Sequence, residues 1–196
     1  MQPSFFLASG SPRRKELLTQ LGYQFHIIIP DIEEQQLLGE SPQDYVARLS
    51  REKAQAGLQL AQTQFPELSL PVLGSDTIVV INQEVLEKPI NYTDCKRMLQ
   101  LLSNRKHQVM TSVTVTTSTE YQTKTVITDV WFKPLTEQEI EAYWRTGEPC
   151  DKAGSYGIQG IGGRFVSKIE GSFHAVMGLP LMETDLLLND FLGQPS

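Results

Sequence analysis

Seven residues near the start of the chain, Ser9-Gly10-Ser11-Pro12-Arg13-Arg14-Lys15, place three cations in the first turn of a predicted helix. Free backbone N–H groups already make that end positive, so each added cation costs about 0.3–1 kcal/mol. A bound anion reverses the sign, because it accepts the N–H groups and the guanidinium forks together. The alternative is three long side chains that merely point into water.

Other segments add carboxylates and lysines. Gly74-Ser75-Asp76-Thr77 opens a β-branched run and puts a carboxylate at the lip of a predicted strand. Aspartate is disfavoured in strands, so Asp76 either caps a turn or serves as a base or metal ligand. Glu33-Glu34 reads as a solvated loop pair, and Lys53 as an exposed helix residue. Glu87-Lys88-Pro89 sets a lysine before a proline that forces extended backbone. The run Gly157-Ile158-Gln159-Gly160-Ile161-Gly162-Gly163 is not a dinucleotide fingerprint, since no buried strand precedes it and no helix is expected after it. Such glycines let backbone approach a flat ligand, with Gln159 offering both a donor and an acceptor.

The elements that must carry these residues follow from pattern. Residues 3–8 read as a strand, followed by a tight loop and a helix containing Leu17, Leu18 and Leu21 that Gly22 ends. Tyr23 to Ile29 reads as a second strand. Ser41-Pro42-Gln43-Asp44 supplies an N-cap, a first-turn proline and an acid for a long helix to about Gln64. Val72 to Ile81 reads as a strand with a short return after Asn82-Gln83. Asn91 or Thr93 caps a helix to Leu102. Residues 109–117 and 126–133 alternate as a hairpin with one wet face. Thr136 to Glu139 is a capping box for a short helix. Residues 147–163, with six glycines, read as a loop or a turn-rich crossover. Arg164 to Ile169 is a last strand and Leu181 to Leu192 a last helix. Helices and strands mix without strict alternation, which predicts an α/β chain on a mixed sheet, folded as one domain over 1–196.

Bulk properties exclude several classes. With 40% hydrophobic and 20% charged residues over 196, the composition is globular. A net charge of −6 speaks against a general nucleic-acid binder, which needs a positive surface. Apolar runs fall short of the ~20 residues of a membrane span, and no signal-peptide layout opens the chain, so no membrane association and a cytoplasmic address are expected. Cys95 and Cys150 lack metal or disulfide spacing, and His26, His107 and His174 read as structural.

Six segments in order resemble the Maf family of nucleoside triphosphate pyrophosphatases, from Phe5 to Leu192. They are Leu7-Ala8-Ser9-Gly10-Ser11-Pro12-Arg13-Arg14, Ile32-Glu33-Glu34, Arg51-Glu52-Lys53-Ala54, Gly74-Ser75-Asp76-Thr77, Glu87-Lys88-Pro89, and residues 151–160. The resemblance implies an inosine-triphosphatase-like fold, an elongated mixed sheet flanked by helices with two lobes around a cleft, and commonly a homodimer. It implies hydrolysis at the α-phosphorus with Asp76 activating water. Ser9, Arg14, Lys53 and Lys88 would line the triphosphate, and Glu34 with Asp76 would hold magnesium or manganese. The chain departs from the commoner Gly-Lys-Pro form in having Glu87 before Lys88.

The resemblance further implies that Arg13, Thr77 and Gln159 stand at the positions that separate substrate classes within the family, and their combination is similar to the dTTP/UTP branch. A glutamine amide matches the N–H donor and carbonyl acceptor of a uracil or thymine edge. Pyrophosphate is a good leaving group once its charge is neutralised, so a positioned water suffices and no covalent protein nucleophile is needed. Two rivals are a nucleotide-binding regulator of cell division without essential catalysis, and a phosphatase that removes only the terminal phosphate.

Overall fold

The computed structural model describes residues 3–193. Seven strands form a mixed sheet in the order β2 (Phe25–Ile28), β1 (Phe5–Ala8), β3 (Val72–Ile81), β5 (Lys106–Thr116), β6 (Tyr121–Phe132) and β7 (Val166–Glu170), with β4 (Glu84–Leu86) paired to β3. Helices flank it, in agreement with the α/β reading. By its internal contacts the chain divides into two compact units, one holding residues 3–76, 111–126 and 178–193, the other 77–110 and 127–177. Strands β3 (Val72–Ile81), β5 (Lys106–Thr116) and β6 (Tyr121–Phe132) each contribute residues to both.

In the first unit β1 (Phe5–Ala8) pairs in parallel with β2 (Phe25–Ile28) and with β3, where Phe6 faces Val72 and Leu7 faces Leu73. The short helix α1 (Pro12–Gln20) starts on the Ser11 cap and buries Leu17 and Leu18. Helix α2 (Pro42–Gln64) begins on Ser41, whose hydroxyl accepts from the Asp44 N–H at 3.1 Å. Its buried residues Val46, Ser50, Ala54, Gly57 and Ala61 recur at three- and four-residue spacing, one face of a helix laid on the sheet. Ala61 of this helix joins Phe6, Ala8, Ile28 and Val72 of the strands in one apolar cluster. The last helix, α6 (Leu181–Leu192), is tied to the loop after α1 by the Tyr23 hydroxyl, which donates to Asp185 at 2.8 Å.

The second unit holds β4 (Glu84–Leu86), α3 (Tyr92–Leu102), α4 (Glu137–Trp144), β7 (Val166–Glu170) and α5 (Phe173–Met177). Asn82 and Gln83 both take positive φ between β3 and β4, as a two-residue hairpin turn requires. Asn91 caps α3, and Thr136 with Glu139 forms the expected capping box on α4. Leu99, Leu102, Val109, Val130, Phe132, Tyr143 and Phe165 belong to its core, which the Tyr156 and Phe132 rings join at 4.7 Å. His107 lies within it and shares a 2.8 Å hydrogen bond with the Tyr156 hydroxyl, a structural role as expected.

One local expectation changes. The hairpin of β5 and β6 has no wet face on β5, because Ser112, Thr114 and Thr116 are buried. Their hydroxyls bond one another's neighbours instead of water: Ser112 and Thr114 meet Ser50 at 3.0 and 2.8 Å, and Thr114 meets Thr123 at 2.8 Å. Polar period-two alternation therefore did not mean exposure. Of the two readings of residues 147–163 the turn-rich one holds: the segment contains short 3₁₀ helices, Glu148–Asp151, Ala153–Ser155 and Ile161–Phe165, the last running on to residue 165, all too brief to show a period. Helix α5, five residues long, left no readable pattern for the same reason.

Candidate active site

Asp76 is not at the lip of its strand. It is the fifth of ten residues of β3 and only 6% exposed. Strand β1 ends at Ala8, however, while β3 runs on beyond Leu73, so Asp76 lies past the end of its parallel neighbour. Strand alternation puts Gly74 and Asp76 on one face and Ser75 on the other. On the first face stands α2. A Cβ at Gly74 would be 2.5 Å from the Ala54 nitrogen and 2.6 Å from the Ser50 carbonyl oxygen. The missing side chain lets the helix backbone touch the strand, and that contact brings Lys53 over Asp76.

Lys53 is therefore not the exposed helix residue its sequence context suggests. Its ammonium donates to Asp76 Oδ1 at 2.6 Å and pairs with Glu34 Oε1 at 2.7 Å, and the Lys53 and Asp76 side chains are 14% and 8% exposed. Two carboxylates from distant segments thus converge on one positive centre. An aspartate buried in a strand is tolerable here because a paired cation offsets its desolvation. Glu34, paired with Lys53, is likewise more than a solvated surface residue, and Glu33 is exposed.

The cationic segment is also organised. Ser11 caps α1, its hydroxyl accepting from the Arg14 N–H at 3.5 Å, and Ser9 Oγ accepts from the Ser11 N–H at 3.2 Å. Arg14 does not reach into water. Its Nε donates to the Gly178 carbonyl at 2.9 Å and its Nη1 to Ser9 Oγ at 3.2 Å. Burial lowers the guanidinium's pKa, the Asp76 and Glu34 carboxylates raise it, and Arg13 lowers it. From the other face of β3, the Ser75 hydroxyl donates to the same Gly178 carbonyl at 3.3 Å. Gly178 has no chemical side chain, and nothing in the sequence marks it as this meeting point. Arg13 is half-buried beside Arg14, and Lys15 is exposed.

Thr77, Lys88 and Gln159 belong to the second unit. Thr77 is half-buried in β3, Lys88 is exposed just beyond β4, and Gln159 is exposed in the glycine segment. That segment is clamped from within. Glu148 Oε2 accepts from the Ile161 N–H at 2.8 Å, and Oε1 accepts from the Gly162 N–H at 3.0 Å and the Tyr143 hydroxyl at 2.8 Å. The Tyr143 hydroxyl in turn accepts from the Gly157 N–H at 3.1 Å. A Cβ at Gly160 would collide with the Glu148 carboxylate, and one at Gly162 would stand 2.6 Å from the Tyr143 hydroxyl. Those two glycines make room for a protein carboxylate and phenol. Sequence reasoning passed over both partners, since a lone glutamate and a lone tyrosine carry no spacing signal.

A buried aspartate, a lysine, a second carboxylate and a serine–arginine pair, gathered where a parallel strand ends and a helix begins, define a site suited to a phosphorylated anion and its counter-cation. The chain belongs to the Maf family: the profile described as Maf-like protein matches residues 4–191. It is 65% identical to the dTTP/UTP pyrophosphatase of Aliivibrio fischeri over 98% of this chain and 100% of that protein. Identity to the dTTP/UTP pyrophosphatase of Vibrio parahaemolyticus is 64% over 96% of this chain and 97% of the relative. The dTTP/UTP pyrophosphatase of Salmonella typhimurium is 56% identical over 96% of this chain and 93% of its own. No helix among the described residues is long and apolar enough to cross a membrane.

Proposed function

We propose that this chain hydrolyses dTTP and UTP to the monophosphate and pyrophosphate, with Asp76 as the base. The observation that carries this is the Lys53, Asp76 and Glu34 cluster, two carboxylates closed on one cation at 2.6 and 2.7 Å, in a chain matched along almost its full length by dTTP/UTP pyrophosphatases. Water attacks the α-phosphorus and gives its proton to the Asp76 carboxylate. The bond from that phosphorus to the bridging oxygen breaks, and pyrophosphate leaves with the electron pair. Ser9, Arg14, Lys53 and Lys88 bind the triphosphate, and the lysines and arginine neutralise the charge that develops on the leaving group. No covalent intermediate is required, so Ser9 binds and does not attack.

Glu34 and Asp76 would hold magnesium or manganese. Both are hard oxygen donors already converging on a positive centre, which fits such an ion. No group of three or more His, Cys, Asp or Glu side chains suited to a metal occurs among the described residues, so phosphate oxygens and water would complete the ligand set. Bound there, the ion supplies Lewis-acid neutralisation of phosphate charge. Arg13, Thr77 and Gln159 determine the base accepted, Gln159 by pairing its amide with the pyrimidine edge. The homodimer and the cytoplasmic address belong to the same proposal, and sedimentation velocity and cell fractionation test them.

The decisive experiment is a product-resolved screen of nucleoside triphosphates, modified pyrimidines included, with and without magnesium. The expected products from UTP and dTTP are monophosphate and pyrophosphate. Diphosphate and orthophosphate would indicate a terminal phosphatase, and binding without turnover a nucleotide-dependent regulator.

A further inference from the structure

We propose that Glu148 and Tyr143 are positioning residues that set base selectivity by holding rigid the loop that carries Gln159. This rests on the reading of Gln159 as the base-contacting residue and adds how its amide is aimed.

Gln159 is exposed, and its own backbone has no strand or long helix to fix it. What fixes it are the N–H groups on either side, at Gly157, Ile161 and Gly162, all of which end on one carboxylate–phenol pair. The pair is anchored. Tyr143 is fully buried on α4, its ring edge-on to Phe165 at 5.0 Å, and Glu148 heads the first 3₁₀ helix. Burial raises the Glu148 pKa, but hydrogen bonds from Gly162, Tyr143 and Ile161, with Lys152 nearby, outweigh it and hold the carboxyl below its ordinary range. An ionised carboxylate accepts all three donors at once, which a neutral side chain cannot do.

The arrangement is specific to the loop. Gly160 and Gly162 lie outside the left-handed region, so a side chain is barred there by the Glu148 carboxylate and the Tyr143 hydroxyl rather than by backbone torsion. A binding group must be held within about 0.5 Å and 10–20° to discriminate, and a loop alone does not achieve that. None of these contacts involves Asp76, Lys53, Glu34 or Arg14. Loosening the clamp should therefore degrade base reading while leaving phosphate chemistry in place.

The test is steady-state kinetics of Glu148→Gln, Tyr143→Phe and Gln159→Ala on UTP and GTP, with amide hydrogen exchange of residues 157–163. Glu148→Gln turns an acceptor oxygen into an NH₂ facing N–H donors. It is expected to lower kcat/KM for UTP about tenfold, chiefly through KM, and to lower the UTP to GTP ratio by a similar factor, with faster exchange at Ile161 and Gly162. Combined with Gln159→Ala it should lower the ratio no further than Gln159→Ala alone, since both act through one amide. If Gln159→Ala lowers the ratio while Glu148→Gln and Tyr143→Phe leave it unchanged, the positioning role is overturned and the reading of Gln159 stands. If Gln159→Ala leaves the ratio unchanged, Gln159 does not read the base and the positioning role falls with it. Equal losses on both nucleotides through kcat also overturn the proposal. Should Glu148→Gln fail to fold, Tyr143→Phe, which removes one oxygen from a packed ring, decides the question by itself.

Discussion

Replacing Gly74 by alanine tests whether helix position creates the Lys53–Asp76 pair. The new Cβ would stand 2.5 Å from the Ala54 nitrogen, 2.6 Å from the Ser50 oxygen and 2.9 Å from the Ala54 Cα. All three are backbone atoms of α2, so no rotamer relieves the clash. Ordinary contact begins near 3.4 Å, so helix and strand must part by about 0.9 Å. Lys53 immediately precedes Ala54. A shift of that size takes its 2.6 Å contact with Asp76 to about 3.5 Å unless the side chain follows, beyond the ~2.7–2.9 Å of a charge-assisted hydrogen bond. Overpacking of this kind costs about 1–3 kcal/mol of stability, and a displacement near 1 Å costs on the order of 10²-fold in rate. The assays are urea unfolding, read as midpoint and slope, and pyrophosphate release from UTP. Stability within ~0.5 kcal/mol of the parent, with kcat/KM within about threefold, would refute the view that this close approach builds the site.

Four further outcomes are expected. Asp76→Asn keeps the shape but supplies a poor base and a weaker metal ligand, so kcat should fall more than tenfold, over ~1.4 kcal/mol of barrier, with nucleotide affinity largely kept; retention of a tenth of kcat would remove Asp76 as base. Lys53→Ala and Lys88→Ala should weaken turnover of UTP while barely changing UMP binding by calorimetry, and equal losses for both ligands would move these lysines away from the outer phosphates. Gln159→Glu should cost roughly 2–3 kcal/mol in kcat/KM for UTP and dTTP by facing an acceptor with an acceptor, whereas a uniform loss that included GTP would deny it a role in base reading. His107 is 2% exposed, and burial depresses its imidazole to about 4, with Asp129 pulling the other way. Between that value and the unfolded ~6.5 only the unfolded chain binds the proton, so stability falls as pH drops, by ~2 kcal/mol at pH 5 and ~3 kcal/mol near pH 4. His107→Gln should flatten that slope in urea midpoints taken from pH 7 to pH 4, and an unchanged slope would show that another group causes it.

Much of the site was legible because its parts are local. Ser41 and Thr136 announce helix starts within three or four residues and cap them in the structure, and of Asn91 and Thr93 it is Asn91 that caps its helix. The β-branched run 72–81 and the Asn82-Gln83 turn likewise need no distant partner. The ordered motifs, from Ser9 through Gln159, carried the family and the list of candidate residues.

Tertiary structure decided what those residues touch. Strand periodicity alone could not say whether Ser112 and Thr114 face water or the Ser50 hydroxyl, since polarity alternates in either case. Helical position alone left Lys53 exposed, until a strand 23 residues further on supplied Asp76 and a bare Gly74 let the helix come close enough. Arg14 and Gly178 are 164 residues apart, and Glu148 meets Ile161 and Gly162 through backbone N–H groups that any residue other than proline would have. Local sequence encodes torsional preference and capping because those energies arise within one turn. Burial, ion pairing and close backbone approach depend on which segments pack together, and only the folded chain brings them into contact.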